Sequence, residues 1–104
     1  MNVNPFEILK NAKQIQENIG VFHEKLGSIQ SIGTSGGGMV EVEINGLLEV
    51  QEVRISAELV EEGDREILQD LAAAAFNNAL VKIREALNRE MGGLAGMGMP
   101  EFIP

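Results

Sequence analysis

Residues 33–55 read GTSGGGMVEVEINGLLEVQEVRI, and their alternation decides the fold. In residues 39–45, Val40, Val42 and Ile44 point one way while Met39, Glu41 and Glu43 point the other, which is the period of a half-buried strand. Asn45-Gly46 then gives a strong hairpin signal and implies a type I′ turn, whose two central residues both take positive φ. A third strand runs over about residues 48–55. Leu48 and Val50 share one face, but Val53 and Ile55 fall out of phase with them. One inserted residue near Gln51-Glu52 restores the phase, so a bulge is expected there. Upstream, residues 29–35 read as a first, irregular strand, and Gly36-Gly37-Gly38 as a flexible turn. The three strands form an antiparallel sheet with one apolar face and one acidic face, the latter carrying Glu41, Glu43, Glu49 and Glu52.

Working outward, a helical pattern lies on each side. Asn4 can cap a first helix with Pro5 at its first position, where a missing N–H costs nothing. Apolar residues follow at Ile8, Ala12, Ile15, Ile19, Phe22, Leu26 and Ile29. The steps alternate between four and three residues, which makes a heptad seam narrower than the stripe of an ordinary surface helix. Gly20 and Gly27 each weaken this helix by roughly 1 kcal/mol relative to alanine, so the seam needs packing, either on the protein's own sheet and second helix or across a dimer. On the other side, residues 58–64 read as an acidic, turn-rich link. A second helix starts at Asp64 or Arg65 and runs to Met91, with Ile67, Leu68, Leu71, Ala75, Ala79, Ile83, Ala86 and Leu87 at helical spacing. It is expected to cover the apolar sheet face. About 27 residues of helix span roughly 40 Å, against roughly 23 Å for a seven-residue strand, so the far end from Lys82 is expected to project as an arm.

The chain has 104 residues and no cysteine. That length suits one domain, over residues 1–91, followed by a flexible Gly/Met/Pro-rich tail over 92–104. A protein this small buries a modest fraction of its surface, and association is a natural remedy. The absence of cysteine excludes disulfides and thiolate metal sites and suits a reducing cytoplasm. No basic start followed by an apolar run suggests a signal peptide, and no segment reaches the roughly 18 apolar residues of a membrane span. The net charge is −8, which opposes simple electrostatic binding to DNA or an anionic membrane. Its distribution matters more than its sum. Residues 1–30 are neutral overall, residues 31–66 carry −7 and residues 67–104 carry −1. The acid sits on the hairpin and the link after it, and the helices are close to neutral.

Chemical motifs are few. Gly33, Ser35 and Gly37 match G-x-S-x-G, but a nucleophile elbow needs a strand before it and a helix after it, and here a strand follows. The single histidine, His23, falls inside the first helix. Gly36-Gly37-Gly38 lacks both phosphate-cradle patterns. The strand glutamates have no His or Cys beside them and read as a solvated face. Lys10, Lys13 and Lys25 on the first helix, and Lys82, Arg84 and Arg89 on the second, read singly as solubilising charges. Repeated on two arms of a dimer, they suffice to track a DNA backbone.

The segments GTSGGGMVEVEING, VQEVRIS and LQDLAAAAFNNAL, the Gln-rich helix KQIQENI and the tail together resemble the YbaB/EbfC family of bacterial nucleoid-associated proteins. The resemblance covers nearly the whole chain. It implies an α+β protomer of order α-β-β-β-α, with a three-stranded antiparallel sheet and two long helices, in an intertwined homodimer with projecting helical arms. It also implies DNA binding with low or variable sequence specificity, a role in nucleoid organisation or gene regulation, and a cytoplasmic, nucleoid location. At matching positions the DNA contacts fall to Lys10, Lys13, Lys25, Lys82, Arg84 and Arg89. The chain departs from the family pattern in having fewer lysines on the first helix, with Gly20, Val21 and Phe22 where polar or Met residues often stand. It also has Asn78 where an Asp is usual, which removes a charge near the sheet.

The resulting expectation is a homodimer that meets DNA through phosphate contacts from its arms. No catalytic residue, cofactor, metal, small-molecule substrate or membrane partner is expected. The alternative is a scaffold or adaptor that binds protein partners through the heptad helix or the tail.

Overall fold

The computed structural model describes residues 4–92, and the tail expected over 92–104 lies outside them apart from Gly92. Helix α1 spans Pro5–Ser28, strand β1 Gln30–Ser35, β2 Val40–Asn45 and β3 Val50–Ile55; helix α2 spans Ala57–Glu62 and α3 Arg65–Glu90. The strands form one antiparallel sheet in the order β1-β2-β3. The α+β class and the three-stranded sheet are as the sequence implies.

Each helix begins where a side chain can satisfy an orphan N–H. Asn4 Oδ1 accepts from Phe6 N at 2.9 Å, Ser56 Oγ from Leu59 N at 3.2 Å and Asp64 Oδ1 from Ile67 N at 3.1 Å. Helix α2 corrects the expectation of an irregular acidic link over 58–64. Ser56 starts it, and Gly63 ends it in the left-handed region at φ 70°. Between them Leu59 is driven into the core, where it is among the largest fully buried side chains.

The hairpin turn also differs from the expectation. Gly46 is not in the left-handed region; Leu48 is, at φ 61°. Asn45 N donates to Glu49 O at 3.1 Å and Leu48 N to Asn45 O at 2.9 Å. This is a three-residue loop closed by a left-handed residue rather than a type I′ turn. Asn45 serves it through its side chain, whose Oδ1 accepts from Leu47 N and Glu49 N, each at 3.0 Å. Gly46 serves it by being small. Its N–H donates to Ile29 O at 2.9 Å and Leu26 O at 3.1 Å, and an added Cβ would collide with Leu26 O. The end of α1 is therefore fastened to the hairpin. The bulge falls as expected: Glu43 pairs with Glu52 and Ile44 with Val50, which leaves Gln51 as the extra residue.

The core is Val40, Val42 and Ile44 of β2, Leu59 of α2, and Ala75, Ala79, Ile83 and Leu87 of α3. Opposite these strand residues, β1 places only Ser31, Gly33 and Ser35 on the core face. Small residues there let α3 settle directly on β1. The helix lies over β1 and β2 and leaves β3 largely uncovered, which corrects the expectation that it covers the whole apolar face. Val50, Val53 and Ile55 share that face with the core valines yet are 45%, 42% and 41% exposed.

The arm is also reassigned. Ile83, Ala86, Leu87 and Met91 are all buried, so the far end of α3 packs where the hairpin and the end of α1 meet and does not project. Helix α1 projects instead. It contains no buried residue, and it draws the molecule out to 72 × 23 × 18 Å. Leu26 and Ile29, at its base, pack against the core.

Candidate nucleic-acid interface

Helix α1 has two distinct sides. The seam residues Ile8, Ala12, Ile15 and Ile19 share one face by their 3–4 spacing, and the isoleucines are more than half exposed. Lys10, Lys13, Glu17 and Glu24 fall on the other side by helical angle, and Lys25 at the flank between the two. Lys10 and Lys13, with Gln14 and Glu17, line a shallow open concavity. The two lysines stand one turn apart, exposed, near the free end of the helix. Lys25 sits in the last turn of α1, where a cation is favoured by the helix dipole.

The cations of α3 do not gather with one another. Lys82 Nζ donates to Ile32 O at 3.1 Å, and one turn earlier Asn78 Oδ1 accepts from Thr34 N at 3.0 Å. Ile32 and Thr34 are alternate residues of the edge strand β1, so these contacts occupy its outward backbone groups. That is how proteins blunt a sheet edge. The Asn78 amide thus has a structural task. Arg84 lies about 160° around α3 from Lys82, on the side that looks over β3. Arg89 is on the Lys82 side, in the last turn of the helix. One protomer therefore offers Lys10 and Lys13 as an exposed pair, Lys25 and Arg89 at helix ends, and Lys82 and Arg84 on opposite sides of α3.

The remaining charge is arranged by the sheet. On the face away from α3, Glu43 stands directly opposite Glu52, a like-charged pair that opposes strand pairing. Arg54 relieves it, reaching Glu52 at 2.9 Å and Glu41 at 3.6 Å. Arg54 is thereby neutralised. Glu58, Glu61, Glu62, Asp64, Glu66 and Asp70 cluster around α2 and the start of α3. That corner is at the opposite end of β2 from α1, about 20 Å away for a six-residue strand. The densest acid thus lies at the corner farthest from α1, whose own Lys10, Lys13 and Lys25 are matched in number by Glu7, Glu17 and Glu24.

The hydrolase-like motif resolves into packing. Ser35 Oγ donates to Leu71 O at 2.6 Å, and Gly33 is where α3 crosses β1. His23 is on α1, which meets the sheet at the other end of β1 from Ser35. Among the described residues, no group of three or more His, Cys, Asp or Glu is placed to hold a metal ion, and no helix is long and apolar enough to cross a membrane.

The family model described as the YbaB/EbfC DNA-binding family matches residues 1–99. A relative from Dictyoglomus thermophilum, called a nucleoid-associated protein, is 41% identical over 98 residues, which are 93% of this chain and 94% of the relative. One of the same description from Dictyoglomus turgidum is 40% identical with the same coverage. Among solved structures, an uncharacterized protein from Helicobacter pylori matches with a TM-score of 0.66 at 25% identity, over 92% of this chain and 99% of that one. The sequence segments, the sheet order and these likenesses agree that the chain belongs to the YbaB/EbfC DNA-binding family.

Proposed function

We propose that the protein binds DNA in the nucleoid as a homodimer, through phosphate contacts made mainly by Lys10 and Lys13 on the projecting helix α1. The exposed lysine pair on an arm held away from the acidic corner carries this reading. Lys25 and Arg89 extend the positive surface towards the body. Lys82 and Arg84 contribute less, because one is tied to β1 and the other looks over β3. Phosphate contacts fix position without reading sequence, so specificity is low. The acid at the far corner turns that end away from DNA and leaves the arms to meet it. Nucleoid organisation or gene regulation follows from such binding, and no enzymatic step is part of it.

The homodimer rests on the uncovered half of the sheet. Val50, Val53 and Ile55 form its floor, and Phe76 and Leu80 lie on the side of α3 opposite Asn78 and Lys82, above β3. Monomers rarely leave a contiguous apolar surface of this kind open. A second copy offers the same surface, as a two-fold contact requires.

The exposed seam of α1 also suits an adaptor that docks a helical protein partner. An electrophoretic shift at low salt separates the readings. Retarded DNA with the wild type and its loss in the Lys10→Ala/Lys13→Ala variant support the DNA reading. No shift with the wild type, together with a captured protein partner lost in Ile15→Glu, supports the adaptor.

A further inference from the structure

The outer part of the α1 seam, up to Ile19, stands exposed and off the core. Its exposed members are Ile8, Ala12, Ile15 and Ile19, and a 4-3 spacing of apolar residues accepts another helix rather than a sheet. The positions flanking such a seam decide which helix. Here they are Leu9, Gln16 and His23 on one side and Asn11, Asn18 and Lys25 on the other. Beside the four exposed seam residues there is no formal charge, so like helices do not repel. Lys10, Lys13 and Glu17 lie further round, away from the seam.

Two observations set the direction. Residues 5–15 carry Glu7, Lys10 and Lys13, for a net of +1, and residues 16–28 carry Glu17, Glu24 and Lys25, for a net of −1. These charges lie off the seam and act over distance rather than in contact: antiparallel pairing sets each half alongside its opposite, whereas parallel pairing sets like alongside like. The sizes agree. Parallel pairing stacks Ala12 on Ala12 and leaves a gap, while antiparallel pairing sets Ala12 against Ile15 and Ile8 against Ile19, small facing large.

We propose that α1 pairs antiparallel with α1 of a second copy of this chain, in a register that seats Ile8 against Ile19 and Ala12 against Ile15. This surface is distinct from the β3 surface and does not depend on the DNA-binding reading. Each of the two is self-complementary. A molecule with two such surfaces links into an open chain rather than a closed pair. In that chain Lys10 and Lys13 of both paired arms stay outward, so a rod with four lysines on its surface joins successive bodies.

Because the protein has no cysteine, single cysteines report the pairing cleanly, and α1 has no buried residue to unfold. An equimolar mixture of Ile8→Cys and Ile19→Cys chains is oxidised without DNA. The expected product is a disulfide between the two variants, with little from Ile8→Cys alone. In that register two copies of position 8 stand about 16 Å apart along the helix pair, beyond the roughly 7 Å that a disulfide spans between Cα atoms. Sedimentation supplies the second readout: Ile15→Glu is expected to reduce wild-type chains to discrete dimers. Efficient self-linking of Ile8→Cys, absence of the mixed product, or wild-type mass unchanged by Ile15→Glu overturns the proposal. Lysine variants that lose DNA but keep the cross-link leave it standing, so the two readings fail separately.

Discussion

Gly33 of β1 lies flat against Ala79 of α3: a Cβ on Gly33 would stand 2.6 Å from the Ala79 Cα and would collide with the backbone at Ala75 and Ala79. Backbone, unlike the far end of a side chain, cannot step aside. The contact also sets the reach of Asn78 and Lys82 to Thr34 and Ile32, since all four groups depend on how closely the helix lies on the strand.

Gly33→Ala is therefore expected to destabilise the fold by 1–3 kcal/mol, about the cost of overpacking a core, or by more because the neighbours are main-chain atoms. Urea unfolding followed by far-UV circular dichroism measures it. A midpoint equal to that of the wild type would mean that α3 does not ride on β1 as described.

Gly20 gives the opposite case. Nothing lies within 4 Å of a Cβ placed there, and the residue is in the middle of an exposed helix. Gly20→Ala is expected to stabilise α1 by about 1 kcal/mol. Amide exchange in α1 should slow by roughly fivefold, while the sheet amides stay as they were.

These two glycines show what the sequence does and does not disclose. Both stand in regular elements, and only the tertiary approach of α3 separates them. The alternation of β2 was legible because one face of that strand is fully buried, and the Gln51 bulge was legible as a break in the alternation of β3. Helix α2 was not, because six residues are too few for a helical period and only its caps, Ser56 and Gly63, mark it. The Asn45-Gly46 pair announced a hairpin correctly and its turn type wrongly. The pair acts through the Asn45 side chain and through the space Gly46 leaves for Leu26, neither of which is a local preference. The lysines of α1 were legible as an exposed set. The tie of Lys82 to Ile32 joins residues fifty apart and has no signal in spacing or composition.

Val53 tests the proposed body contact. It is 42% exposed in the protomer, so Val53→Glu leaves the fold intact and places a charge where a second copy would bury it. Removing that charge from water costs several kcal/mol unless it is paired. The dimer dissociation constant is expected to rise by roughly 100-fold or more, a shift of about 3 kcal/mol, in sedimentation equilibrium. An unchanged constant with an unchanged unfolding midpoint would place the interface elsewhere.

The phosphate contacts should be visible in salt. If a homodimer neutralises about five phosphates, log K falls against log salt with a slope of roughly −4 to −5. Lys10→Ala/Lys13→Ala removes four cations from the pair, and each lost contact flattens the slope by about 0.9. The variant should therefore approach a slope of about −1. Lys82→Ala, whose ammonium is held by Ile32 O, should stay close to the wild type. Fluorescence anisotropy with a labelled duplex at stepped salt concentrations gives all three slopes. If Lys82→Ala flattened the slope as much as the double variant, α1 would lose its claim as the principal contact. The α3 side of the body would then have to face the DNA.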